Sequence, residues 1–404
     1  MNAQPPTPFF IGFDAKRAVY NHTGLGNYSR FVVEGLAKFL TEDDAPACAD
    51  ATPTLALVAT ESKHKQPNAA YPKLLEDYPD LIRTVRPHHF LARCFPAFWR
   101  RYGMSRTLVR NGIRLFHGLS GELPVGLKRR GIRSVVTVHD LIFLHFPQFY
   151  KPIDVFIYKL KARHACRKAD RIIAVSECTK RDIVRYFNIQ PDRIEVIYQG
   201  CEPKFADNPG PSALTAVRRR YGLPENFLLF VGSIEARKNL LVAVKALEIL
   251  RDDCPDLHLV AVGKRTPYTA TVEAYAAAHG LSDRLHCLHG LPNEDLRALY
   301  HAARLFVYPS LYEGFGIPII EAIQAGLPVI AATGSCLEEA GGPACPYIAP
   351  DDAPAWAEAI RRLLADAETC RHIVRESQAY VQRFDQKAVT RPLLKLYRDL
   401  LADL

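Results

Sequence analysis

The chain has 404 residues, 48% of them apolar and 24% charged, the balance of a folded globular protein and not of a disordered or fibrous one. At that length two domains are expected rather than one. The net charge of +9 is uneven: residues 1–205 hold 31 Lys+Arg against 19 Asp+Glu, and residues 206–404 hold 21 against 24, so an anionic partner is expected for the first half only.

In chain order, strands are predicted over 9–15, 54–60, 114–118, 134–140, 171–176 and 193–200, with helical stretches between them. After the first strand, Gly24-Leu25-Gly26-Asn27-Tyr28-Ser29 opens a helix. Its glycines let backbone N–H groups approach an anion, and a helix start favours negative charge. Ser29 stands where a dinucleotide fingerprint has its third Gly, and the loop begins some ten residues past the strand, so an ordinary capped turn fits equally. His139 and Asp140 end the 134–140 strand, where a histidine can serve a sugar hydroxyl or phosphate, act as acid or base, or simply be satisfied by backbone. Ser176 reads as a helix N-cap.

The stretch CEPKFADNPGPSAL, 201–214, is polar and rich in Pro and Gly, and marks the break between the halves. Strands follow over 226–233, 257–263, 284–290, 304–310 and 328–332, and an amphipathic helix closes the chain. Most runs are continuously apolar, as in parallel strands covered on both faces. The fold class is therefore α/β, with two doubly wound domains: 1–205, a linker over 206–225, 226–383, and a closing helix over 384–404 that packs back on the first domain. In such sheets ligands lie beyond the carboxyl ends of the strands, so the unusual loops there are read as one site facing an interdomain cleft.

Two loops of the second half carry most of the chemistry. In FVGSIEARKNL, 230–240, Arg237 and Lys238 precede a helix start, where cations are poorly placed for helix stability. A bound diphosphate would explain them, Arg as a planar fork and Lys as a point charge; a solvated loop is the alternative. In RLFVYPSLYEGFGIPIIEAIQAGLPVIAA, 304–332, Glu313 sits in a Gly-rich loop and Glu321 in the first turn of the following helix. The amides of Phe315, Gly316 and Ile317 are available to phosphate or sugar oxygens. Ionised carboxylates only accept hydrogen bonds, so Glu313 and Glu321 suit a hydroxyl-rich ligand, although Glu321 alone also fits helix capping. A glycosidase pair is the other use of two carboxylates, but a neutral glycan gives the cationic pair nothing to bind.

The segment EGFGIPIIE resembles the E-x7-E motif of the retaining glycosyltransferases of family 4, which have the GT-B fold of two facing Rossmann-like domains. The GLGNYS loop, the His-Asp strand end, the E-A-R-K-N segment and the closing helix occur in that family's order over essentially the whole chain. The resemblance implies a nucleotide-sugar donor held mainly by the second domain and an acceptor on the first. It gives Glu321 the donor's ribose, Glu313 with the Phe315 and Gly316 amides the transferred sugar, and Arg237 and Lys238 the leaving diphosphate. His139 is to reach the sugar from across the cleft, while Gly24 and Gly26 let the first domain close onto the phosphates. Gly290 and Leu291 lie in the GLPNEDL segment, at the position that reads the nucleobase through backbone groups. Asp140 and Tyr28 are placed on the acceptor side. One departure stands out: some members carry an Arg three residues before the E-x-R-K stretch, where this chain has Ser233 nearby. The segment resembles the G-x-x-E-P-R-K-N form of bacterial mannosyl- and rhamnosyltransferases of surface-polysaccharide assembly, including lipopolysaccharide, which points to GDP-mannose.

No Asp-x-Asp stands at a strand end, so fixed cations and helix-start amides are expected to stabilise the diphosphate without a metal or other cofactor. Two stretches that mix aromatics with cations, 88–116 and 143–171, suit anionic lipid headgroups or a lipid-diphosphate-linked glycan acceptor, or else form an ordinary packed face with solvated cations. No nucleic-acid module is recognisable. No 18-residue apolar span and no basic-then-apolar leader is found, and the ten cysteines lack paired spacing, so a cytoplasmic location, peripheral on the inner face of the membrane, is expected. The alternatives are another GT-B activity (a sugar-nucleotide epimerase or a soluble glucan- or sucrose-type synthase) and a non-catalytic nucleotide-sugar-binding assembly protein.

Overall fold

A computed structural model describes residues 10–21, 23–41, 54–59, 66–87, 92, 94–201 and 203–402. The N-terminal nine residues, read above as lacking leader character, lie outside the described residues, as do 88–91 and 93 of the first aromatic-basic stretch.

The chain forms two compact units, one made of 1–200 with 386–404 and the other of 201–385. The first is built on a seven-stranded sheet of order β3-β2-β1-β4-β5-β6-β7 and the second on a six-stranded sheet of order β10-β9-β8-β11-β12-β13. In the first sheet β1 (Phe10–Asp14) lies between β2 (Thr54–Val58) and β4 (Ile113–Gly118), and β5 (Arg133–Val138), β6 (Arg171–Ala174) and β7 (Ile194–Val196) follow. In the second, β8 (Phe227–Val231) lies between β9 (His258–Val262) and β11 (Leu305–Tyr308), with β12 (Val329–Ala332) beyond. All these pairings are parallel, as continuous apolar runs require: β8, β11 and β12 are buried at every residue. Each strand order reverses once, at β1/β4 and at β8/β11, and such switch points open a crevice at the strands' carboxyl ends.

Two strands escape the sequence reading, β3 (Ile82–Val85) and the two-residue β13 (Tyr347–Ile348). Both are edge strands with half-buried residues, so neither carries a long apolar run. The expected linker over 206–225 is corrected. The unit boundary falls at Gly200/Cys201, and Pro211–Tyr221 is a helix of the second unit. That helix is tied down by Asp295, which accepts both oxygens' worth of bonds from Arg220 (2.7 Å each) and one from Tyr221 (2.7 Å). Its polar, Pro/Gly-rich approach had masked an amphipathic helix.

The closing helix, Gln386–Ala402, buries Val389, Leu393, Leu394, Leu396, Tyr397 and Leu400 in the same core as Phe13, Phe31, Leu36 and Leu115 of the first unit. At Gly35 an added Cβ would stand 2.5 Å from Thr390 Oγ1, so the missing side chain lets the two helices meet. The nine described cysteines are free thiols, and among the described residues no helix is long and apolar enough to cross a membrane.

Candidate active site

In the second unit the switch point gathers the loops after β8 and β11. Beyond β8 the chain makes a single 3-10 turn, Ala236–Lys238, and Asn239 takes a left-handed conformation (φ 55°) before the Leu240–Ile249 helix. Asn239 offsets that strain by donating its side-chain amide to Pro309 O (3.2 Å) and Pro350 O (2.6 Å). Arg237 and Lys238 are thereby aimed back over the sheet toward the end of β11, each with a side chain only 12% exposed.

There they meet Glu313. Four donors converge on one of its oxygens, Oε1: Lys238 Nζ at 2.7 Å, Ser310 Oγ at 2.7 Å, Arg237 Nη1 at 2.9 Å and Tyr308 OH at 3.3 Å. Among the described residues no protein donor reaches Oε2. Burial by itself would raise the Glu313 carboxyl above its ordinary 4.5, but Lys238 and Arg237 outweigh it and hold the group at about 2. Arg237 also donates to Tyr312 O and to Glu235 (2.6 Å), and the carboxylates overcome the burial that opposes its charge. Lys238 lies over the Tyr308 ring, 4.9 Å from its centre, and donates to its hydroxyl. Burial, and then Glu313, push that phenol well above its ordinary value, so it remains a donor.

The loop following Glu313 is held from behind. Cys336 Sγ lies 3.1 Å from both Glu313 O and Phe315 O, and Phe315 packs edge-on against Phe384. Gly316 has φ 117°, a region L side chains rarely adopt, and a Cβ there would press on Leu337 at 3.0 Å. The Gly316 and Ile317 amides stand at the start of the Ile317–Gln324 helix, among the groups a helix cannot satisfy itself. Glu321 is the fifth residue of that helix, beyond the first turn where it was expected, because the helix begins at Ile317. Its Oε2 accepts from the fully buried Tyr300 (2.9 Å), a hydrogen bond across the unit. Ser233 is half-buried after β8 and its carbonyl accepts from Glu235 N (2.9 Å). Gly290 (φ 68°) and Leu291 form the turn into the Asn293–Ala302 helix, at the carboxyl end of β10 (Leu285–Leu288). Among the described residues no group of three or more His, Cys, Asp or Glu side chains is arranged to hold a metal ion.

In the first unit His139 ends β5. Its Nε2 donates to Leu119 O (2.9 Å), and burial takes the imidazole down to about 4 against that bond's opposing pull. The ring is thus neutral with its proton on Nε2, and Nδ1 keeps a lone pair. Of the uses left open for His139, satisfaction by backbone describes Nε2, and Nδ1 remains as an acceptor. Tyr28, expected on the acceptor side, is instead 3% exposed: its ring meets His139 edge-on at 4.6 Å and its hydroxyl bonds Thr137 Oγ1 (3.0 Å). Thr137 in turn bonds His117 Nε2 (2.8 Å), and His117 Nδ1 bonds Tyr397 of the closing helix (2.5 Å). Asp140 Oδ1 accepts from Ile142 N (3.1 Å) at the entry to the short Ile142–His145 turn, and Ser176 accepts from Thr179 N as an N-cap.

The glycine loop has a different logic from the one expected. Gly24 begins the Gly24–Thr41 helix, and nothing lies within 4 Å of where its Cβ would be. A Cβ on Gly26 would stand 2.1 Å from Asn21 O, and the Gly26 N–H already serves Thr23 O (2.9 Å) and Asn21 Oδ1 (3.2 Å). Gly26 therefore permits a close backbone crossing, and its N–H is not available to an anion.

Tyr308, Ser310, Tyr300, Cys336 and Asn239 were not found by sequence reasoning. The signal for the first two was a Tyr-Pro-Ser step at the very end of an apolar strand. Nothing local marks Tyr300 or Cys336.

Two doubly wound parallel sheets, the second with carboxylate and cations massed at its switch point, define the GT-B fold. A glycosyltransferase family 4 model matches residues 55–205 and a glycosyl transferases group 1 model matches 216–380. The chain belongs to the family 4 glycosyltransferases, with those two domains in that order. It is 28% identical to O-antigen chain mannosyltransferase B of Escherichia coli, over 96% of this chain and 99% of that one. It is 27% identical to the O-antigen chain mannosyltransferase RfbU of Salmonella typhimurium, over 62% of this chain and 65% of that one. Among solved structures it resembles the sucrose-phosphate synthase of Thermosynechococcus elongatus (TM-score 0.73, 23% identity, 98% of this chain and 100% of that one). Anabaena HepE in complex with UDP and glucose gives a TM-score of 0.71 at 18% identity, again over 98% and 100%.

Proposed function

We propose that this glycosyltransferase moves a mannosyl group from GDP-mannose to a hydroxyl of a glycan or lipid-linked glycan, with retention at the anomeric carbon and without a metal ion. The observation that carries the reading is the Glu313 cluster, in which the protein's donors occupy Oε1 and Oε2 is left for a ligand's hydroxyl. The mannosyl assignment draws on the curated relatives, both named as O-antigen mannosyltransferases.

In this reading Glu313 Oε2 and the Gly316 and Ile317 amides hold the sugar, and Glu321 accepts from the ribose. Arg237 and Lys238, kept rigid by their carboxylate, face the leaving diphosphate, whose charge grows as the anomeric C–O bond breaks; fixed charges of this kind need no reorganisation in the transition state. The acceptor oxygen forms the new bond on the face the diphosphate leaves, and its proton passes to the departing phosphate oxygen. His139 Nδ1 is the first unit's acceptor for a sugar hydroxyl, with Tyr28 and Leu119 fixing its ring.

The test is a donor panel of GDP-mannose, UDP-glucose, UDP-N-acetylglucosamine and dTDP-rhamnose, scored by thermal shift and by nucleotide release with and without EDTA. A response to GDP-mannose that survives EDTA and is lost in Glu321→Ala supports the reading. A response confined to another donor overturns the mannose assignment, and EDTA sensitivity overturns metal independence.

A further inference from the structure

We propose that one face of the first unit, formed by the Pro152–Lys168 helix and segment 95–103, docks on the surface of an anionic phospholipid bilayer. The proposal does not depend on the donor reading.

The helix is inside out for one bathed in water. It buries Ala162, Ala165 and Cys166, and it exposes Ile153 (61%), Phe156 (59%), Ile157 (38%) and Leu160 (52%). These four lie at i, i+3, i+4 and i+7, a single stripe down one side. The neighbouring segment repeats the pattern: Trp99 and Met104 anchor it in the core, while Phe95 (64%), Phe98 (67%) and Tyr102 (50%) face out. Its aromatics are ordered among themselves, with Phe98 and Tyr102 ring centres 5.0 Å apart. Glu122 bridges the two pieces by accepting from Lys161 (3.0 Å) and Arg100 (3.3 Å), so the exposed groups belong to one surface. Of the eleven large apolar side chains exposed among the described residues, ten fall between Phe95 and Leu160 and only Ile249 lies in the second unit. Scattered exposure is ordinary, but a concentration of this kind marks an interaction surface.

Charge identifies the occupant. The helix carries Lys159, Lys161, Arg163, Arg167 and Lys168 against Asp154 as its one acid, and a groove of about 610 Å³ beside it adds Lys128 and Arg129. A second copy of the chain would bring the same cations to the contact and be repelled. An apolar stripe flanked by lysine and arginine is instead the pattern of a helix lying in the interface of an anionic membrane, its apolar side among acyl chains and its cations among phosphates.

Full-length protein is floated with phosphatidylcholine vesicles, with or without about 30% phosphatidylglycerol, at about 0.1 M and about 0.5 M NaCl. The expected result is binding to the anionic vesicles alone, weakened by salt. Phe156→Ser/Leu160→Ser and, separately, Phe98→Ser/Tyr102→Ser are each expected to lower partitioning about tenfold. Lys159→Glu/Arg163→Glu should lower it by about fivefold or more for each charge and flatten the salt dependence. Ile249→Ser should change nothing. All replaced side chains are exposed, and an unchanged thermal midpoint confirms that the variants fold. Absence of binding to anionic vesicles, or equal binding by the wild type and both apolar variants, overturns the proposal. So does a concentration-dependent dimer in sedimentation that these substitutions abolish, which would give the face to a second copy.

Discussion

Replacing Glu313 by Gln keeps the shape of the side chain and removes the charge that holds Arg237 and Lys238. Both cations are 12% exposed, so they cannot recover their hydration without rearranging the loops after β8 and β11. The carboxyl is held at about 2 where 4.5 is ordinary, a preference for the ionised form of about 3 kcal/mol. The same figure lies at the lower end of what breaking a buried ion pair costs, about 3–5 kcal/mol. Because the folded value is depressed, the contribution is fully present above the unfolded value and is lost as pH falls through the folded one. About 1 kcal/mol of it should be gone by pH 3.5. The chain has two tryptophans, one in each unit: Trp99 in the first and the fully buried Trp356 in the second. Urea unfolding of the ligand-free protein, followed by Trp356 fluorescence in a Trp99→Phe background, therefore reads the second unit. Glu313→Gln should lose about 3 kcal/mol at pH 7 and proportionally less at acid pH. A loss below about 1 kcal/mol at pH 7, or one independent of pH, would refute the view that this carboxylate is what organises the two cations.

Three further outcomes follow from the same geometry. Gly26→Ala should destabilise the first unit by about 1–3 kcal/mol, because its Cβ meets Asn21 backbone, whereas Gly24→Ala should be neutral to within about 0.5 kcal/mol, both by urea unfolding. If Gly24→Ala also leaves the nucleotide-sugar KM unchanged, the loop takes no part in phosphate binding. Burial holds His117 at about 3 and His139 at about 4, below the ordinary 6.5, so the unfolded chain binds more protons between those values and stability falls as pH drops from 6.5 toward 4. The cost at pH 5 should be about 2 kcal/mol for each imidazole, read by Trp99 fluorescence in a Trp356→Phe background, and His139→Gln should flatten that slope. Tyr300→Phe removes the donor to Glu321 and should cost about 1 kcal/mol in unfolding, with a several-fold weaker nucleotide affinity by calorimetry.

The parts of the fold that reach the eye from sequence are those set by one-dimensional patterns. Continuous apolar runs gave the buried parallel strands, and loops at their carboxyl ends pointed to Glu313, Arg237 and Lys238, which the fold brings together with both cations within 3 Å of Glu313 Oε1. Edge strands β3 and β13 leave no such run. The supports of the site are harder to see, because each acts through space: Tyr300 reaches Glu321 across 21 positions and Cys336 reaches the Glu313 and Phe315 carbonyls across more than 20. Tyr28 was misplaced for a related reason. A polar aromatic in a glycine loop looks like a ligand contact until the fold shows its hydroxyl buried on Thr137. The direction of the His139 hydrogen bond likewise depends on Leu119, 20 residues away.

The closing helix bears on how the protein is made. The first unit is interrupted in sequence: its core needs Val389, Leu393 and Tyr397, and its buried polar chain ends on the Tyr397 hydroxyl. A chain leaving the ribosome from its N-terminus therefore presents the whole of the second unit, residues 201–385, before it presents the last piece of the first. Of the two units, the one that emerges first is therefore the one completed last, and until the Gln386–Ala402 helix emerges the apolar surface it covers stays exposed. A stop codon shortly after residue 385 would leave the second unit's residues whole and deprive the first of its closing helix.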